Sequence, residues 1–283
     1  MLNVDCEFRI REDIEFILEA EGMNAKEFAE RTGISRTTLD SICKQGKARA
    51  DVCEKVYSYV YRKRYRLNSV KEELLKEKYN DVLFHGSKDG LTDICVSGSR
   101  GNCDFGSGFY LGESYDQALS FVSEKPHSSV YSFKYSLDGL KVKTFACDLE
   151  WMLAVCYHRG YLKEYESNGI VRSIVDGIGE SDIVIAPIAD NRMFYIMNQF
   201  ADGDINSSVA LHSLSASRLG LQYVFRTEKA LDNLSPIEKY YVSIPEREDC
   251  LERMVRRSYE VDTKLKLAKR EFREGLFIEE ILE

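Results

Sequence analysis

The stretch Asp104-Phe105-Gly106-Ser107-Gly108-Phe109-Tyr110-Leu111 constrains this chain more than any other. Two glycines flank Ser107, so the backbone can turn tightly and a flat ligand can approach without a Cβ in the way. Tyr110 stands at the end of that loop, where its ring offers a stacking face and its hydroxyl a polar handle. Upstream, Val82-Leu83-Phe84 reads as a short buried strand that delivers His85, with Gly86 and Ser87 directly behind it. An imidazole and an open backbone amide are expected side by side.

Length and composition bound the rest. A chain of 283 residues with 44% hydrophobic content can bury one large or two small cores. No apolar run approaches the ~20 residues needed to span a bilayer, and the first residues lack the order of a signal peptide, so a cytoplasmic protein without membrane contact is expected. The eight cysteines are scattered without a C-x-x-C, which suggests buried free thiols and no metal. A net charge of −8 argues against non-specific nucleic-acid binding by the whole chain. Between Arg36 and Arg66, however, nine basic residues face three acidic ones, a local positive surface on an acidic protein.

The first 66 residues read as a helical module. Ile10, Ile14, Ile17 and Leu18 lie on one helical face, and Asn24 with Glu27 forms a capping box for a second helix carrying Phe28 and Ala29 inward. Gly33 supplies a left-handed turn, and Ser35 caps a third helix that buries Leu39 and Ile42. This pattern is similar to the helix-turn-helix of the lambda-repressor-like (XRE) family. The resemblance places Ser35, Arg36, Thr37, Thr38 and Lys44 at a DNA surface, beside Asp40, which suits it poorly. A helical bundle used for protein contact is the other reading. Residues 52 to 79 should be mainly helical, with 67 to 80 a semi-rigid connector free of Gly and Pro. Tyr57, Tyr59, Tyr61 and Tyr65 interleave with Arg62, Lys63, Arg64 and Arg66, either as a nucleic-acid surface or as packing between helices.

Beyond the loop, Ser114 and Gln117 form a second capping box, opening a helix expected to bury Ala118, Phe121 and Val122. Strands are expected at 129 to 137, 142 to 145, 182 to 188 and 221 to 226, and helices at 150 to 157 and 192 to 200. The mixture lacks a βαβ repeat, so the fold class is α+β. Residues 246 to 283 read as a charged amphipathic helix, and 232 to 283 form a C-terminal helical segment.

Asp104 to Leu111, followed by Gln117-Ala118, resembles the ADP-ribosyltransferase superfamily, in its branch with a His-Tyr-acid triad. Within that branch it is most similar to a bacterial family of unknown function with an Asp-Phe-Gly-x-Gly-Phe-Tyr-Leu motif. Leu221-Gln222-Tyr223-Val224-Phe225 fits the third motif, and the resemblance spans residues 81 to 231. It implies a split β-sheet that binds NAD as substrate. His85 would hold the adenosine-side ribose, Gly86 backbone groups the carboxamide, and Tyr110 the nicotinamide ring, within a cradle that includes Ser87, Gly106, Gly108 and Phe109. Arg100 is a candidate pyrophosphate partner, or a solvated surface arginine. Gln222 occupies the place of the catalytic Glu in many relatives. The resemblance thus implies a mono-ADP-ribosyltransferase fused to a DNA-binding module, a toxin or phage-defence effector acting on a protein or nucleic-acid acceptor. A regulator that binds NAD or ADP-ribose without turnover, and an NAD glycohydrolase, are the alternatives. A homodimer would suit paired DNA half-sites.

Overall fold

Asn24 and Ser35 decide where the amino-terminal helices begin. The Asn24 side chain accepts from the backbone N–H groups of Lys26 and Glu27, and the Ser35 hydroxyl accepts from that of Thr38. Each cap satisfies amides that a first helical turn leaves without partners, a contribution of about 1 kcal/mol. Gly33 and Gly46 end the following helices at φ 68° and 70°, in the left-handed region that a Cβ disfavours. In the computed structural model, which describes residues 2–4, 6–99, 102–215 and 219–283, these helices are α1 (Ile10–Glu21), α2 (Ala25–Thr32), α3 (Arg36–Gln45), α4 (Ala50–Arg62) and α5 (Leu67–Lys78). Ile10, Ile14 and Ile17 meet Phe28, Leu39, Ile42 and Val56 in one core.

The connector is broken rather than continuous. Arg64 and Arg66 adopt φ 64° and 47° between α4 and α5, a left-handed elbow built without glycine. Arg66 Nη1 donates to the Tyr61 hydroxyl at 2.6 Å and to Asp249 Oδ2 at 3.2 Å, which fixes the elbow. The interleaved tyrosines are packing residues. Tyr57 stacks on Tyr241 at 4.8 Å and donates to Asp13, Tyr59 meets Phe28 edge-on at 6.0 Å, and Tyr61 donates to Asp249.

Nine strands follow in chain order among the described residues: β1 (Leu2–Asn3), β2 (Val82–Ser87), β3 (Asp93–Ile94), β4 (Phe109–Gly112), β5 (Ser129–Tyr135), β6 (Val142–Thr144), β7 (Ile183–Pro187), β8 (Leu221–Phe225) and β9 (Leu234–Tyr241). β1 pairs with β3, and the other seven form one sheet in the order β6-β7-β8-β4-β2-β5-β9, antiparallel except for β6 with β7. The later helices are α6 (Tyr115–Ser120), α7 (Leu149–His158), α8 (Gly169–Gly179), α9 (Asn191–Ala201), α10 (Ser207–Ser215), α11 (Glu228–Leu231), α12 (Ile244–Glu271) and α13 (Ile278–Leu282). The fold is therefore α+β. Trp151, Met193, Phe200 and Val224 centre the larger core between α7, α9 and the sheet.

Two expectations are corrected. Residues 234–241 are a sheet strand, so the sheet domain runs past 231 and the helical tail starts only at Ile244. Pro236 sits beside a register shift on this edge strand, the position where a missing N–H is tolerated. Phe121, expected inside, is 57% exposed because α6 stops at Ser120 and the helical spacing ends with it.

Two buried polar clusters and one exposed hydrogen bond tie the helical module to the sheet. Lys71 of α5 lies 2.9 Å from Asp13 of α1 and also pairs with Glu238 of β9. Glu54 of α4 accepts from the backbone N–H of Ile244 at 3.0 Å, so a side chain of the first module caps α12. Asn68, Tyr115 and Glu246 meet between α5, α6 and α12, with Asn68 Nδ2 donating to the tyrosine hydroxyl at 2.8 Å and to the carboxylate at 3.1 Å. Removing one partner from the buried Lys71 or Asn68 cluster costs several kcal/mol, so the modules are locked together.

Candidate functional site

The site is built on three adjacent strands, β8, β4 and β2. Phe84 is in register with Gly112, and Gly112 with Gln222, so these residues share one face of the sheet. Tyr110 is in register with Val224, two residues on from Gln222, and therefore shares that face. His85 follows Phe84 and points to the other face, where its ring lies 4.4 Å from that of Phe109. The expected trio is thus brought onto neighbouring strands, with Tyr110 and Gln222 on one face and His85 on the other.

β2 and β4 are in register only at Phe84 and Gly112. Beyond that pair, His85 Nδ1 lies 2.8 Å from the carbonyl oxygen of Tyr110, a side chain bridging where the strands part. A carbonyl can only accept, so Nδ1 carries the proton and Nε2 keeps a lone pair. Burial pushes the pKa of His85 down, only partly offset by the Tyr110 carbonyl, and this favours the neutral ring.

Glycines let the loop close. A Cβ on Gly108 would stand 2.7 Å from Val224 Cγ1 and 3.0 Å from the Phe225 carbonyl oxygen, so only glycine permits this approach to β8. Gly106 turns at φ 74° against His158. The Tyr110 hydroxyl donates to the Gly106 carbonyl at 2.7 Å and accepts from the Phe105 N–H at 3.1 Å, tying the loop to its own strand. Burial raises the pKa of this phenol, keeping it protonated. Ser87 donates to the Gly90 carbonyl, and a Cβ on Gly86 would strike the Ala118 carbonyl, so α6 rests directly on that glycine.

Gln222 is held by a network that motif reading missed. Its Nε2 donates to Asp104 Oδ2 at 2.9 Å and to the Pro187 carbonyl at 3.0 Å. Asp104 in turn accepts two bonds from Arg159, Nε at 3.0 Å and Nη2 at 2.6 Å, and the guanidinium lies 3.7 Å from the Phe194 ring centroid. Asp104 and Gln222 are both buried. Arg226 and His158 lie beneath the same loop. The Nε of Arg226 and the Nε2 of His158 are buried without hydrogen-bond partners. Burial and the nearby Arg226 charge push His158 down to about 4.

Gln117 has a structural task. It completes the capping box with Ser114 at 2.9 Å and donates to the Leu219 carbonyl, while Glu113 accepts from the Leu221 N–H at 2.9 Å. Together they pin the start of β8 beside Gly220, which turns at φ 82°. Arg100 lies outside the described residues. On the helical module, Ser35 is occupied as a cap and its hydroxyl lies 2.7 Å from that of Thr38. Arg36, Thr37, Asp40 and Lys44 are exposed along α3, with Arg36 3.4 Å from Asp40. Among the described residues no cluster of three or more metal-ligating side chains occurs, and no helix is long and apolar enough to cross a membrane.

A family model described as "Protein of unknown function (DUF3990)" matches residues 82–235. That range begins at β2 and ends at the start of β9, and so contains the whole site. No curated protein and no solved structure matches the chain.

Proposed function

This chain belongs to the DUF3990 family of proteins of unknown function, and we propose that it is an NAD-dependent mono-ADP-ribosyltransferase joined to a DNA-binding helical module. The observation that carries this reading is the state of Gln222. Both amide hydrogens are engaged, by Asp104 and by Pro187, which leaves the carbonyl oxygen as the end that can receive a ligand hydroxyl. Donation to a carboxylate polarises the amide and strengthens that oxygen as an acceptor, by roughly 10–30% per coupled bond. Asp104 thereby supplies, one hydrogen bond removed, negative charge of the kind a glutamate would carry.

Loss of nicotinamide breaks the bond to the ribose and leaves the electron pair on the departing ring. The ribose becomes oxocarbenium-like, and an acceptor oriented toward its hydroxyl stabilises that charge. An incoming nucleophile then bonds to the ribose carbon and gives up a proton. Tyr110, locked by its hydroxyl, presents its ring to the leaving group. His85 offers the Nε2 lone pair to a ribose hydroxyl from the far side of the strand gap. A bent dinucleotide crossing the strand ends would meet both. Arg226 lies against Gly108, with Nη1 donating to the Ile178 carbonyl and Nε unpartnered, and is the candidate cation for the pyrophosphate in place of Arg100.

The acceptor is a protein or a nucleic acid brought close by the helical module, an arrangement that suits a toxin or phage-defence effector. Arg36, Thr37 and Lys44 on α3 would face DNA, with Asp40 neutralised by Arg36. Nicotinamide release from NAD by the full chain tests the enzyme. Binding of NAD without release would favour the ligand-sensing regulator instead, and release without label transfer to any acceptor would favour the glycohydrolase.

A further inference from the structure

α12 runs for 28 residues, from Ile244 to Glu271, and only one side of it is used by the fold. Cys250, Val261, Leu265 and Ala268 are buried on that side. Opposite them lies a continuous exposed stripe of Glu248, Glu252, Val255, Tyr259, Thr263, Lys266 and Arg270. At about 100° per residue these seven fall within roughly 40° of Tyr259 around the helix axis. At its centre Val255 is 55% and Tyr259 69% exposed, among the most exposed large hydrophobic side chains of the described residues. A solvated helix face would not place them there, side by side.

The charges on the stripe are ordered. Glu248 and Glu252 occupy its amino-terminal end, and Lys266 and Arg270 its carboxy-terminal end. Each acid has a base at the same distance on the other side of Tyr259. Glu252 and Lys266 are both seven residues away, and Glu248 and Arg270 are both eleven. A two-fold axis through Tyr259 therefore brings every acid of one copy opposite a base of the other, with Val255 against Thr263 and Tyr259 against its own symmetry mate. Self-complementarity of this kind is what an isologous interface requires. A parallel arrangement would set like charges together.

We propose that the outer face of α12 is a homodimer interface, formed by antiparallel pairing of two copies about Tyr259. The acidic and basic ends set the register, and the Val255 and Tyr259 side chains supply the apolar centre. Glu54 and Asp249 tie the start of α12 to the helical module, so pairing carries the two modules to opposite ends of the joined helices. The proposal goes beyond the activity assigned to the sheet domain and does not depend on it.

Sedimentation equilibrium of the full chain at micromolar concentration tests it, with charge-reversal variants at positions that touch nothing in the core. Wild type is expected to dimerise. Glu252→Lys, or Lys266→Glu alone, turns two symmetry-related attractions into repulsions and should weaken dimerisation by roughly tenfold. Glu252→Lys combined with Lys266→Glu should restore it. A monomeric wild type would overturn the proposal, and so would a dimer indifferent to the single reversals or not rescued by the double one. The circular dichroism of each variant should match wild type, because these side chains lie on the outer face.

Discussion

Gln222 Nε2 donates to Asp104 Oδ2 at 2.9 Å across 118 residues of sequence, inside a site from which water is largely excluded. This pairing fits an amide and does not fit a second carboxylate. In Gln222→Glu, two acids would stand side by side, where like charges cannot both ionise at low cost. The variant should lose about 2–3 kcal/mol of stability at pH 8 and less at pH 5, where one carboxyl can keep a proton. Adding Asp104→Asn should recover part of that loss. Urea unfolding of the four proteins checks this, and a coupling energy below about 0.5 kcal/mol would show that the two side chains do not meet.

Gly108 closes the loop against β8, and the space for a side chain is missing there. Gly108→Ala should destabilise the chain by about 1–3 kcal/mol, since Val224 and the Phe225 carbonyl would have to move. Gly177 lies within α8 with nothing near its Cβ position, so Gly177→Ala should be neutral or stabilising by up to about 1 kcal/mol. The urea midpoints separate the two. A Gly108→Ala protein as stable as wild type would contradict the close approach.

Glu246 is buried between Asn68, Tyr115 and the start of α12, and burial pushes its carboxyl up to about 7 despite the hydrogen bonds from Asn68 and Tyr115. Its folded pKa lies above the unfolded value, so the folded state binds the extra proton between about pH 4.5 and 7. Its contribution is fully present below that window and is lost as pH rises through about 7. His158, lowered to about 4, acts with the opposite sign over the acid side of the window, so the comparison must be with a variant. Glu246→Gln should reduce the loss of stability between pH 5 and pH 8 by as much as about 3 kcal/mol. Equal pH slopes for variant and wild type would contradict this.

Lys44 is exposed on α3 and should touch phosphate if the helical module binds DNA. Lys44→Ala would then weaken binding to all sequences alike and lower the salt slope by about 1, whereas Arg36→Ala would relax sequence preference. Fluorescence anisotropy across a salt series reads both effects. Binding untouched by either change would remove α3 from the interface.

Much of this arrangement could be read from local sequence because local chemistry dictates it. Asn24, Ser35 and Gly33 mark helix ends through side-chain caps and a left-handed turn, and the structure places those ends as expected. The strand at 82 opens with the apolar run Val82-Leu83-Phe84 and the strand at 129 alternates polar and apolar residues, so both are legible in the sequence. β9 was hidden because Pro236, Glu238 and Lys239 interrupt its pattern, and its pairing with β5 is set by tertiary contact. Asp104 and Arg159 were not seen as partners, since 55 residues separate them and nothing near Arg159 marks it. That His85 faces away from Tyr110 and Gln222 depends on the register of β2 with β4, which no local pattern encodes.

In the proposed reaction Gln222 is an acceptor polarised by Asp104, and nicotinamide release from NAD by the purified full chain tests that role. We predict release by wild type, a loss of at least tenfold in Gln222→Ala and Tyr110→Ala, and a smaller loss in Asp104→Asn, about the two- to tenfold that follows when one charged hydrogen bond is made neutral. Each variant should bind NAD within a few-fold of wild type except Tyr110→Ala. No release by wild type with or without DNA and cell extract, or release unchanged in Gln222→Ala, would rule out this role for Gln222.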